Sequence, residues 1–124
     1  MNNELNFIRE CGVFFVATVK GTKPQARPFG AIMQIDDDLY ISTGKTKDVF
    51  KQIVNNPSIQ IVALKQGTRN WIRISGKTII VEDIELKKKM IEENPVLEKR
   101  YNGAEDENFA LIKITNCSYE IFES

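Results

Sequence analysis

The sequence predicts a small, mainly antiparallel β-barrel with two or three short helices. Three observations predict it: about seven short segments rich in β-branched and aromatic residues, turn residues between most of them, and few stretches of helical periodicity. Consecutive strand segments also lie too close together for repeated helical crossovers, which argues against a doubly wound parallel sheet. At 124 residues the chain forms a single domain over 1–124. That length buries roughly two-thirds of the unfolded surface in one core without cross-links.

The opening places Leu5, Phe7 and Ile8 before Cys11-Gly12, which predicts one or two amphipathic helical turns stopped by the glycine. Residues 13–20, VFFVATVK, read as the first strand, and a Gly-Thr-Lys-Pro turn leads into a second, QARPFGAIMQI at 25–35. Asp36-Asp37-Asp38 turns the chain into LYIST at 39–43, so the expectation is three strands in a meander. In TKDVFKQIVNN at 46–56, Val49, Phe50, Ile53 and Val54 recur at the spacing of one helical face, with Thr46 as the expected N-cap and Pro57 as the stop. SIQIVALK at 58–65 and NWIRISGKTIIV at 70–81 are strands, the second carrying Gly76 at a bulge or corner. EDIELKKKMIEENP forms the next helix, closed by Asn94-Pro95. After the polar run EKRYNGAEDEN, FALIKIT and SYEIF are expected to pair as a last hairpin around Asn116-Cys117.

Lysine plus arginine and aspartate plus glutamate balance at 17 each, leaving no overall field for a nucleic-acid backbone. Histidine is absent, which excludes a Ser-His-Asp triad, a His-ligated haem and an HExxH zinc site within this chain, and no metal site is expected. Cys11 and Cys117 show no CxxC spacing and read as reduced, small hydrophobes. The first residues carry acids and no apolar run of signal length, and no segment approaches the ~20 apolar residues of a membrane span. A cytoplasmic protein that does not enter membranes is the expectation.

Three segments carry polar residues where a plain barrel would prefer apolar ones. Arg27-Pro28-Phe29-Gly30 falls inside a predicted strand, where proline removes a ladder donor and glycine removes a side chain. This backbone is either an irregular edge with a surface arginine or a wall that something flat approaches closely. Ser42-Thr43-Gly44-Lys45-Thr46-Lys47 runs from a strand into a helix N-terminus, where free N–H groups, hydroxyls and ammonium groups suit a phosphate dianion. Lys47 and Lys51 lie four apart on the same helix; they are either two solvated lysines or, since like charges at that spacing repel and sit at the positive end of the helix dipole, the flank of a bound anion, with Lys51 the weaker candidate. Gly44-Lys45-Thr46 also matches the tail of a Walker A loop, but the first glycine of that motif would fall at Leu39, so the triphosphate wrap fails. The third segment, Asn70 to Gly76, alternates so that Trp71, Arg73 and Ser75 share one face and Ile72 and Ile74 the other. On pattern alone Trp71 covers the flank of a monomer or meets something outside the protomer, such as a twin subunit or an aromatic ligand.

Together FFVATVKGTKPQARPFGAIM, LYISTGKTKDVFKQIVNNP and WIRISGK stand in the order and spacing of the pyridoxamine 5′-phosphate oxidase-like family, the FMN-binding split barrels, and the chain resembles its short single-domain members over nearly its whole length. The resemblance implies a Greek-key-like split barrel that forms a homodimer with two FMN molecules in clefts between subunits. It implies that Arg27 helps to neutralise the phosphate and that Pro28, Phe29 and Gly30 present backbone to the isoalloxazine ring. It assigns Ser42, Thr43, Thr46 and Lys47 to phosphate and ribityl oxygens. Trp71 and Arg73 would reach across to the flavin bound mainly by the other subunit.

The activity implied is an FMN-dependent oxidoreductase acting on a small acceptor, with the flavin supplying hydride or electron chemistry and no catalytic side chain identifiable. The chain ends in SYEIFES, without the tryptophan-to-arginine segment by which the true oxidase grips its substrate, so pyridoxamine phosphate oxidation is not the expected reaction. Rival readings are a non-enzymatic electron carrier or redox sensor, a deazaflavin-binding relative, and a cofactor-free barrel that meets partners through the Trp71 face.

Overall fold

The structure, a computed structural model, describes residues 3–123. In chain order it runs α1 (Asn3–Cys11), β1 (Phe14–Lys20), β2 (Lys23–Phe29), β3 (Met33–Ile35), β4 (Asp38–Gly44), α2 (Asp48–Asn55), β5 (Ser58–Leu64), β6 (Trp71–Val81), α3 (Ile84–Glu93), a 3-10 turn (Pro95–Lys99) and β7 (Phe109–Phe122). The sheet has seven strands in the order β2-β1-β5-β6-β7-β4-β3, and every adjacent pair is antiparallel.

That order explains why the sheet curls. Its two edge strands, β2 and β3, follow one another in sequence and are joined only by residues 30–32. A flat sheet of this many strands would be about 29 Å wide, whereas so short a link reaches at most about 14 Å. The edges must therefore bend toward each other, which makes a split barrel. The linking residue Ile32 has left both ladders, and Asn94 replaces its lost partners. The Asn94 Nδ2 donates to the Ile32 carbonyl at 3.1 Å while its Oδ1 accepts from the Ile32 N–H at 3.2 Å. Arg9 on α1 donates to the same carbonyl at 3.1 Å.

Four expectations need correction. The predicted strand over 25–35 breaks at residues 30–32, and β1, β2 and β4 form no meander, because the link carries the chain from one sheet edge to the other. The expected final hairpin is one strand, β7. Asn116 adopts φ 55° there, and the pairing with β6 slips between Ser75 and Lys77, so the turn-like residues mark a bulge. Gly76 sits at that slip, as the reading of a bulge or corner anticipated. Thr46 is not the N-cap of α2: Lys47 holds that position and makes no side-chain cap bond.

Alternation on the strands sorts the core. Inside the barrel, Phe14, Val16, Ile41, Ile61, Ile72, Ile74 and Ile112 pack with Ile8 of α1 and with Val49 and Ile53 of α2. A second cluster, with Met33, Tyr40, Phe109 and Leu111, is covered by Met90 of α3 and Leu97 of the 3-10 turn. Each such side chain contributes roughly 1.5–3 kcal/mol when fully buried. Asp83 caps α3 by accepting from the N–H groups of Glu85 and Leu86. Among the described residues no helix is long and apolar enough to cross a membrane.

Candidate functional site

A cavity of about 540 Å³ opens where the end of β2, the end of β4 and the start of α2 meet the 3-10 turn and the loop before β7. It brings together Arg27, Pro28, Phe29, Gly30, Ser42, Thr43 and Lys47, all expected from sequence. Its charge is one-sided, since Arg27, Lys47 and Arg100 line it and no carboxylate does among the described residues.

Each wall has a local cause. Gly30 leaves the ladder at the end of β2 without a left-handed φ, and a Cβ built there would meet nothing within 4 Å. Neither conformation nor packing asks for glycine at that place, and the open space adjoins the cavity. Ser42 lies near the end of β4, paired with Leu111 of β7 and beyond the reach of the short strand β3. Its Oγ is buried and finds no hydrogen-bond partner among the described residues, a state that costs about 1–3 kcal/mol unless something else supplies one.

The loop from β4 into α2 is pinned from the far side of the cavity by Asn108. The Asn108 carbonyl accepts from the Lys45 N–H at 2.9 Å, and its side-chain Oδ1 accepts from the Thr46 N–H at 3.2 Å. Thr46 touches Asn108 in this way but does not itself line the cavity. Lys45 turns aside to Glu82 at 3.2 Å, and Glu82 also pairs with the buried Lys87 at 3.1 Å. Those two hydrogen-bonded lysines hold the Glu82 carboxyl below its ordinary pKa. Lys51 does not join Lys47 at the cavity, but lies beside Asp48 and Gln52 over a separate small recess.

Arg27 projects inward from the edge strand and is gripped rather than free. Its Nη1 donates to the Val16 carbonyl at 3.2 Å and to Thr18 Oγ1 at 2.8 Å, and its Nη2 donates to Gln52 Oε1 at 2.9 Å. Thr18 donates its hydroxyl hydrogen to the same Gln52 oxygen, and Gln52 Nε2 donates to Gln25 Oε1 at 2.9 Å. Burial lowers the Arg27 pKa, and the nearby Asp48 opposes that shift.

Trp71 and Arg73 stand elsewhere, on the outer face of β6. The Trp71 ring stacks on Phe122 of β7 with centroids 4.2 Å apart. The Arg73 guanidinium lies 5.2 Å from the Trp71 ring centre and 5.3 Å from that of Phe122, and its Nε donates to Glu120 at 2.8 Å. That bond to Glu120 raises the Arg73 pKa. Neither residue enters the cavity of its own chain. Around them the outer face exposes Phe15, Leu64 and Phe122. A wide recess of about 610 Å³ on that face is lined by Ala17, Val19, Pro24 and Gln60, with Lys77 its single charged group among the described residues.

Sequence reasoning missed Asn108, Arg100, Tyr101 and the Thr18–Gln52–Gln25 group. The first three lie in a polar run with no periodicity to read. Gln52 was legible in principle, since it falls between Val49 and Ile53 on the inward face of α2, where a polar residue needs a partner.

The family profile of pyridoxamine 5′-phosphate oxidase matches residues 3–119, and the chain belongs to that family. No curated protein matches the sequence. A NimC/NimA family protein from Clostridium acetobutylicum is 35% identical, with a TM-score of 0.92 over 99% of this chain and 87% of that one. General stress protein 26 from Bacillus anthracis is 25% identical, with a TM-score of 0.78 and full coverage of both chains. A pyridoxamine 5′-phosphate oxidase-related, FMN binding protein from Nostoc punctiforme shares the fold at 15% identity, with a TM-score of 0.68 over 97% of this chain and 93% of that one.

Proposed function

We propose that the cavity between β2, β4 and α2 binds FMN and that the protein is an FMN-dependent oxidoreductase acting on a small acceptor. The observation that carries the reading is a cavity lined by three cations and, among the described residues, no acid, with Ser42, whose buried Oγ has no hydrogen-bond partner among those residues, in its lining. A phosphorylated, polyhydroxylated ligand supplies what that wall lacks: oxygens for Ser42 and negative charge for Arg27 and Lys47. The FMN binding neighbour from Nostoc punctiforme supports the choice of cofactor.

In this reading Arg27 and Lys47 hold the phosphate, while Ser42, Thr43 and the N–H end of α2 meet phosphate and ribityl oxygens. Thr46 acts through its backbone, whose bond to Asn108 fixes the loop. The exposed backbone of Pro28–Gly30 faces the ring, and the open space beside Gly30 lets a flat group approach. When bound, FMN would supply hydride and single-electron transfer, and the protein would contribute binding, orientation and exclusion of water.

The reading includes a homodimer. The apolar outer face around Phe15, Leu64 and Phe122 supports it, and Trp71 and Arg73 on that face would meet the flavin of the partner subunit.

The visible spectrum of freshly purified protein, followed by FMN titration of stripped protein, tests the reading. Paired flavin bands and saturable uptake are expected, and colourless protein that takes up no FMN would sink it. Steady-state turnover with a nicotinamide donor is expected, whereas stoichiometric reduction without turnover would mark an electron carrier.

A further inference from the structure

Arg9 and Arg73 are each tied to a carboxylate, Arg9 to Glu93 at 3.0 Å and Arg73 to Glu120 at 2.8 Å. Arg27 is held differently. Its three protein partners are a backbone carbonyl, a hydroxyl and the amide carbonyl of Gln52, and all three are neutral. Asp48 lies near enough to act on it electrostatically but forms no ion pair with it among the described residues. Such a set fixes the guanidinium without cancelling its charge.

The two residues that make the grip are themselves fixed. Thr18 and Gln52 are buried at 1% and 5% exposure. The Gln52 oxygen accepts from both Thr18 and Arg27, so its amide cannot flip without breaking both bonds. The Gln52 Nε2 is anchored in turn by Gln25 at 2.9 Å. A guanidinium has five N–H donors. The grip uses two hydrogens on Nη1 and one on Nη2, which leaves Nε–H and one Nη2–H without partners among the described residues.

We propose that Gln52, assisted by Thr18, is a positioning residue that holds the Arg27 guanidinium by neutral acceptors alone and so keeps its charge and remaining donors for a ligand phosphate. This rests on the FMN reading above and deepens it. It assigns a reason for an amide, and not a carboxylate, at this point on the inward face of α2. A glutamate there would keep the length and the acceptor but would satisfy the charge of Arg27 from inside the protein.

The experiment compares FMN with riboflavin, which lacks only the phosphate, on stripped full-length protein. In Gln52→Glu, FMN affinity is expected to fall by about 10- to 100-fold while riboflavin affinity stays within about twofold of wild type. A merely structural role would move both flavins together. Gln52→Met removes the acceptor without adding charge and serves if the glutamate variant does not fold; a loss of about 3- to 10-fold for FMN alone is expected there. Arg27→Met is the reference. If Arg27→Met weakens FMN selectively and neither Gln52 variant does, the positioning role is overturned while the cofactor reading stands. If wild type binds riboflavin as tightly as FMN, or binds neither, the phosphate site is overturned and the role of Gln52 with it.

Discussion

The backbone N–H of Thr46 donates to the side-chain Oδ1 of Asn108 at 3.2 Å, across 62 residues of sequence. A Cβ built at Gly44 would lie 3.1 Å from the Nδ2 of the same asparagine, so the loop is packed against this side chain as well as bonded to it. The Asn108→Ala change removes the side-chain bond and leaves the backbone bond to Lys45. On the proposed reading FMN binding should weaken by roughly 1 kcal/mol, measured by calorimetry, because the donors at the start of α2 lose their fixed aim. Unaltered affinity would show that the backbone bond alone sets the loop.

Lys47 is the N-cap of α2, lines the cavity and has no ion-pair partner among the described residues. An unpaired ammonium beside the positive end of a helix is unfavourable until an anion arrives. Lys47→Ala should therefore cost FMN affinity about 1–3 kcal/mol while leaving thermal stability level or slightly raised. Fluorescence titration at two salt concentrations checks both size and origin, since the wild-type affinity should fall with salt more steeply than that of the variant.

Gly76 is required by packing. A Cβ there would come within 2.6 Å of the Ile114 Cγ2 and 2.9 Å of the Thr115 carbonyl oxygen, and backbone at that distance cannot step aside cheaply. Gly76→Ala should destabilise the fold by about 1–3 kcal/mol in urea denaturation. An unmoved midpoint would mean that the β6–β7 bulge shifts freely.

Strand identity was legible because β1, β5 and β6 alternate between the barrel interior and its outer face, and that alternation is written in VFFVATVK, SIQIVALK and NWIRISG. Pairing order was not legible. Nothing local at Gly30 to Ile32 says that the next strand joins the opposite edge, and the partner that makes this possible, Asn94, lies 62 residues away from Ile32. The bulge at Asn116 imitated a hairpin because both want a left-handed residue. At the site, the phosphate-type loop was readable from its hydroxyls and lysines, since helix N-termini have local rules. Gln52 and Asn108 act across the fold, and single residues of that kind leave no periodic trace.

Asp106 ties the loop that carries Asn108, accepting from the backbone N–H groups of Asn102 at 2.9 Å and Asn108 at 2.8 Å. These bonds lower its pKa from the ordinary 3.8. A carboxylate with a depressed folded pKa adds stability that is complete above its unfolded pKa and is lost as pH falls through the folded one. Acidification from about pH 6 to about pH 3 should thus loosen the loop and release FMN near the low end. Asp106→Asn should release it with a weaker acid dependence in the same window, followed by flavin fluorescence; identical profiles would place the acid-sensitive group elsewhere.

The outer face of the sheet exposes Phe15 at 49%, Leu64 at 54% and Phe122 at 37%. Beside them Arg73 sits against two stacked rings, an arrangement that loses little entropy when covered. On the proposed dimer reading, the native protein should sediment at twice the 14.2 kDa chain mass. Leu64→Glu and Phe15→Glu, each burying an unpaired charge at the contact, should yield the single-chain species at micromolar concentration. Because neither residue lines the cavity, their effect on cofactor separates two arrangements. If Trp71 and Arg73 complete the flavin site of the partner, dissociation should lower FMN affinity about tenfold or more while Arg27 and Lys47 remain in place. Monomeric variants that hold FMN as tightly as wild type would confine the site to one chain and leave Trp71 with a purely structural part.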